Sequence, residues 1–82
     1  MTPIQKQITQ ELLDLSCDHG FHYFPLTPIA AKLGITEVLY DNNTNTGLLW
    51  DLGKFGKGYI DVHEDRSACI NRDLLRHIEN QL

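Results

Sequence analysis

No apolar run in this chain exceeds three residues, and Leu48-Leu49-Trp50 is typical. A membrane-spanning helix needs about 20 consecutive apolar residues, so none is expected. The opening residues MTPIQKQITQ lack the apolar centre of a secretory leader. Cysteine is scarce. Cys17 and Cys69 cannot build a disulfide framework, and the expectation is two buried thiols in a reducing, cytoplasmic setting, with a single bridge as the alternative. Basic residues are few: 7 Lys+Arg face 11 Asp+Glu, a net charge of −4. That balance argues against a broadly basic nucleic-acid coat and against a membrane-surface module. Repeats, low-complexity tracts and Pro/Ser-rich linkers are missing as well. With 82 residues the chain is read as a single domain, 1–82. A domain of this size buries only about 60–65% of its unfolded surface. An interior catalytic cleft is hard to house in so small a core, and the chain is read as not an enzyme.

The charge that is present is unevenly spread. Residues 1–43 hold Lys6 and Lys32 against Glu11, Asp14, Asp18, Glu37 and Asp41. Five of the seven cations, Lys54, Lys57, Arg66, Arg72 and Arg76, lie in the second half, with six acids. An anion-binding face must therefore come from the second half, and a protein partner suits the acidic first half.

Apolar spacing outlines the elements. Thr2-Pro3 is a cap-and-proline helix start. Ile4, Ile8, Leu12 and Leu15 then form one helical face, predicting a helix over roughly 3–18 that Gly20 stops. Phe21-His22-Tyr23-Phe24 reads as a short edge strand ended by Pro25. Thr27-Pro28 repeats the helix start, and a short helix with small residues on one side runs to Gly34. Leu48, Leu49, Leu52 and Phe55 again fall at helical spacing, although Gly47 and Gly53 each weaken such a helix by about 1 kcal/mol. Tyr59 to His63 and Ser67 to Ile70 read as a hairpin around a charged turn. Asn71 caps a final helix with a Leu74, Leu75, Ile78, Leu82 stripe, which either closes the core or pairs with a second copy as a homodimer.

The segment Ile29-Ala30-Ala31-Lys32-Leu33-Gly34-Ile35-Thr36 resembles the core of a helix-turn-helix, with Ala30, Gly34 and Ile35 at the small, turn and apolar positions. The stretch from Leu48 to Ile60 is similar to the third helix of a winged helix-turn-helix, and the hairpin 59–70 to its wing. The implied fold is α+β and mostly helical: a three-helix core, a β-hairpin wing and a C-terminal helix. The third helix starts either at Thr36 or, with the better spacing to Tyr59-Ile60, near Thr44 after an insertion at 35–43.

That resemblance implies binding of double-stranded DNA by a transcriptional regulator or an accessory factor of one. The third helix would enter the major groove, and the wing would touch backbone or minor groove. Asn43, Thr44, Asn45 and Thr46 would then face bases or phosphate, and Lys54, Lys57 and Arg66 would contact phosphate. The alternative on the same scaffold is a non-enzymatic protein-interaction module that uses the acidic half and an exposed Trp50.

Other constellations read as structural. Cys17, His19 and His22 are zinc-type ligands, but paired Cys-x-x-Cys spacing is missing, so neither a metal nor any other cofactor is expected. Gly53-Lys54-Phe55-Gly56-Lys57-Gly58 resembles the Gly-x-x-Gly loop of KH domains, yet it leads into a strand and reads as a helix stop. Ser16-Cys17-Asp18-His19 holds nucleophile, acid and base types without a strained nucleophile turn. Asp61, Glu64 and Asp65 read as a solvated charged turn. Phe55 and Tyr59 read as packing residues.

Overall fold

The computed structural model describes all residues, 1–82. It is an α+β fold of three α-helices and a three-stranded antiparallel sheet. Helix α1 spans Pro3–His19, strand β1 Phe24–Pro25, helix α2 Leu26–Leu33, strand β2 Ile60–Val62, strand β3 Ser67–Ile70 and helix α3 Leu75–Gln81. Short 3-10 turns lie at Trp50–Leu52 and Arg72–Leu74.

Helix α1 begins where a cap and a proline coincide. Thr2 accepts from the Gln5 amide at 3.2 Å, and the Gln5 side chain accepts from the Thr2 amide at 2.9 Å. This reciprocal box satisfies two amides that a helix start leaves unpaired. The buried face of α1 carries Ile8 and Leu12, as the spacing predicts, together with Gln5, Thr9 and Ser16. Burying Ile8 and Leu12 contributes about 1.5–3 kcal/mol each. Ser16 is accommodated by donating to the Leu12 carbonyl at 2.8 Å.

Helix α2 starts two residues before the expected Thr27-Pro28 boundary plus cap, with Pro25 in the cap position. Pro28 falls in the first turn, where its missing amide hydrogen costs nothing. The Leu26 amide instead donates to the Arg66 carbonyl at 2.9 Å, tying α2 to the β2–β3 turn. Gly34 ends α2 in the left-handed conformation at φ 70°.

The hairpin forms where alternation and β-branched residues predict it. Its return strand β3 is central, in the order β1-β3-β2. Phe24, Ala68 and Val62 stand in one cross-strand row, and Ile60 and Ile70 in another. These rows face inward, with Ala68 fully buried. α3 closes the core through Ile78, while Leu74 and Leu75 lie half-buried against it. Asn71 opens this end by accepting from the Asp73 amide at 3.1 Å, and the first turn it starts is 3-10 before becoming α.

The expected third helix does not form: between Gly34 and Tyr59 the regular structure is limited to the turn Trp50–Leu52 and a bridge between Asp41 and Thr46. Neither Thr36 nor Thr44 starts a helix. The glycines permit the loop that stands in its place. Gly47 sits at φ 129°, and a Cβ there would overlap the Leu39 carbonyl. Gly56 lies so close to the Asp51 carbonyl that a Cβ would overlap it too. Leu49 and Leu52 are nevertheless buried completely. Phe55 is 67% exposed, so it does not enter the core as its spacing suggests and packs on the Trp50 ring.

Candidate functional site

Residues 38–49 fold as a hairpin-like loop. Asp41 and Thr46 exchange backbone hydrogen bonds of 2.8 and 3.2 Å, and the Leu48 and Leu49 amides donate to Val38 and Leu39 at 3.1 and 2.8 Å. At the tip the Asp41 carboxylate accepts from the Asn43 amide at 2.9 Å, a local turn typical of aspartate. Asn45 takes the left-handed conformation at φ 55°, which asparagine tolerates better than most residues. The Thr44 and Thr46 hydroxyls lie 2.6 Å apart. Gln5 fastens this loop to α1, donating to the Leu48 carbonyl at 2.8 Å and the Asp51 carboxylate at 2.7 Å.

The loop walls a groove of about 580 Å³. Leu26, Thr27 and Ala30 of α2 form one side, residues 36–43 the other, and Val62, His63, Glu64 and Arg66 the end at the β2–β3 turn. Its walls are apolar at Ala30, Val38, Leu39 and Val62, while Glu37, Asp41 and Glu64 add three acidic residues to a lining that holds one basic residue, Arg66. Val38 is 58% exposed. A second, more open hollow of about 480 Å³ shares Asn42, Val62, His63 and Glu64, and adds Lys54, Asp61 and Asp65.

The sequence-derived DNA contacts are only partly brought together. Asn43 and Arg66 line the first groove and Lys54 the second, whereas Thr44, Asn45, Thr46 and Lys57 line neither. Asn43 to Thr46 occupy the exposed tip rather than a helix N-terminus. Lys54 and Lys57 each lie over a neighbouring ring, Phe55 at 5.0 Å and Tyr59 at 6.0 Å. Arg66 is in the β2–β3 turn at φ 64°. Trp50 is half-buried, with Tyr40 tilted against it at 4.9 Å and Phe55 stacked on it at 5.4 Å. Glu37, Val38 and Asp41 were not legible as site residues, because nothing in their local spacing couples them to the hairpin at 60–70.

The outer face of the sheet carries a polar cluster. Asp61 pairs with Cys69 across β2 and β3, and continuing the β1 register by one residue sets Tyr23 on the far side of Cys69. The Tyr23 hydroxyl donates to the Asp61 carboxylate across that thiol. The Tyr23 ring stacks on His63 at 3.7 Å. The hydrogen bond to Asp61, with lesser help from burial and the nearby negative charge, pushes the Tyr23 phenol up to about 12. Burial, then Asp61, raises the Cys69 thiol. Burial chiefly raises the Tyr40 phenol. The Ser67 hydroxyl and amide, at 2.6 and 3.1 Å, hold the Asp65 carboxyl below the ordinary range.

Both cysteines are free, and Cys17 is exposed rather than buried as expected. It falls on the polar side of the last turn of α1, where Ser16 takes the inward position. No three His, Cys, Asp or Glu side chains gather as a metal-holding set, so Cys17, His19 and His22 form none. Ser16 is committed to the Leu12 carbonyl. Asp61 and Asp65 are occupied by Tyr23 and Ser67. No helix is long and apolar enough to cross a membrane. Comparison with family models, curated proteins and solved structures gave no match.

Proposed function

We propose that this chain is a non-enzymatic protein-interaction module on a winged-helix-like scaffold, and that it takes a partner segment in the groove between α2, residues 36–43 and the β2–β3 turn. The scaffold reading is supported by two helices ahead of a hairpin and by a short first strand paired to the return strand of that hairpin. One observation carries the interaction reading: a loop that walls a groove stands where a DNA-reading helix would be. The cations a duplex would need are spread over that face. Arg66 lies in one hollow and Lys54 in the other, with Glu64 in both. Such a face adds little of the phosphate attraction that dominates DNA affinity. A reducing, cytoplasmic setting belongs to the proposal and is supported by two free thiols, one exposed.

DNA binding remains the second reading, favoured by Arg66 in the β2–β3 turn and by Asn43 and Lys54, which line the hollows beside it. A titration of isotope-labelled protein with mixed-sequence duplex DNA at low ionic strength separates the two. The interaction reading expects no salt-sensitive shifts at residues 43–46, 54, 57 and 66. Salt-sensitive shifts there would overturn it in favour of DNA.

A further inference from the structure

We infer that the groove takes a short, extended, basic segment of a partner protein, with an apolar side chain against Leu39 and Val62 and a Lys or Arg among Glu37, Asp41 and Glu64. This rests on the interaction-module reading and specifies its partner. The three carboxylates arrive from two stretches of chain, Glu37 and Asp41 from the loop and Glu64 from the β2–β3 turn, and none has an ionic partner. The ion pairs of the molecule are Lys32–Glu11 and His63–Asp61. The sole Lys or Arg in the groove is Arg66, so the rim keeps an excess of negative charge. The same sign continues around the edge of β2, where the second hollow is lined by Asp61, Glu64 and Asp65 and by one cation, Lys54. Opposite charge on a partner steers it to such a face and disfavours acidic competitors.

The backbone adds an anchor. His63 donates to Ser67 at 2.9 Å and Asn71 donates to Tyr59 at 2.8 Å. Bonded pairs in an antiparallel ladder alternate, so Asp61 faces Cys69 in a bonded pair, and Ile60 and Val62 point their amides and carbonyls away from β3. Ile60 is only 2% exposed and is closed to a partner. Val62 lines both hollows and leaves one donor and one acceptor for an extended segment. A single pair suits a short segment rather than a long added strand. Exposed Val38 and half-buried Leu39 give that segment apolar area to bury.

The test uses the full chain, isotope-labelled, with short synthetic peptide pools that share apolar positions and differ in carrying Lys/Arg, Glu/Asp or Ser/Gln elsewhere. Basic peptides are expected to bind and to shift the amides of residues 36–42 and 62–64. The double variant Glu37→Lys, Glu64→Lys should weaken them about tenfold. Glu79→Lys, on the exposed face of α3, should leave binding unchanged, and amide spectra establish that each variant is folded. Binding of acidic or neutral peptides, or shifts confined to another face, overturns the basic-segment inference and leaves the module reading standing. If every pool fails to bind, the inference is overturned. If, in addition, duplex DNA binds, both readings fall together.

Discussion

Residues 3–33 and 60–81 build helices and strands, whereas residues 35–59 hold one three-residue turn and one isolated bridge and otherwise follow loop geometry. Yet the irregular stretch buries Leu49 and Leu52 as completely as α1 buries Ile8 and Leu12. Core burial and regular backbone are thus separable in this molecule. In α1 the backbone satisfies its own polar groups, and side chains need only one apolar face. In the loop, the same requirement is met by bonds to Val38, Leu39, Asp41 and the side chain of Gln5. That solution depends on glycines and on contacts distant in sequence.

The sharpest way to break the comparison is to hollow both regions equally. Leu49→Ala and Leu12→Ala should each cost about 2–5 kcal/mol in urea unfolding, as deletions in a packed core do. A small loss at Leu49 beside a large one at Leu12 would mean that the loop is not part of the core. Glycine substitutions come next. Gly56→Ala and Gly47→Ala force a Cβ onto backbone carbonyls and should cost about 1–3 kcal/mol or more. Gly34→Ala meets nothing within 4 Å and should cost only about 1 kcal/mol, from its left-handed backbone. Equal costs at all three would remove the claim that the loop is tightly packed.

Gln5 is the link between the regions. Gln5→Ala leaves the Leu48 carbonyl and Asp51 carboxylate without its amide and should cost about 1–2 kcal/mol. Most of the effect should appear as faster amide exchange at 48–52 rather than along α1. The smallest effect concerns the outer sheet face. The Tyr23 phenol, raised to about 12 by its bond to Asp61, should titrate closer to the ordinary 10.0 in Asp61→Asn. Absorbance titration reads this directly, and an unchanged value would mean that the bond does not persist in solution.

The legible parts of the fold are those where local chemistry decides the outcome. Thr2-Pro3 with Gln5 makes a cap whatever lies elsewhere, and Tyr59 to Ile70 alternates as a hairpin must. Leu48, Leu49, Leu52 and Phe55 mislead because apolar residues at helical spacing can also be turned inward by a loop. Leu49 and Leu52 point inward, but Phe55 does not. Gly47 and Gly53 weaken a helix on sequence alone, but the close approaches at Gly47, Gly53 and Gly56, to Leu39, Tyr40 and Asp51, are tertiary or turn contacts that spacing cannot display. The buried Gln5, Thr9 and Ser16 were hidden for a similar reason: polar residues on a helix read as solvent-facing until a partner is known. The groove is the least legible feature. Glu37, Asp41 and Glu64 meet only because the loop folds back beside the β2–β3 turn.

The central claim is that residues 44–58 form an ordered loop in place of a third helix. Backbone chemical shifts and amide-to-amide contacts of the labelled protein test it most directly. The account predicts helical shifts in this stretch confined to Trp50–Leu52, with contacts across the loop between Asp41 and Thr46 and between Val38 and Leu48. Continuous helical shifts from Thr44 to Phe55, without those contacts, would contradict it and restore a DNA-reading helix.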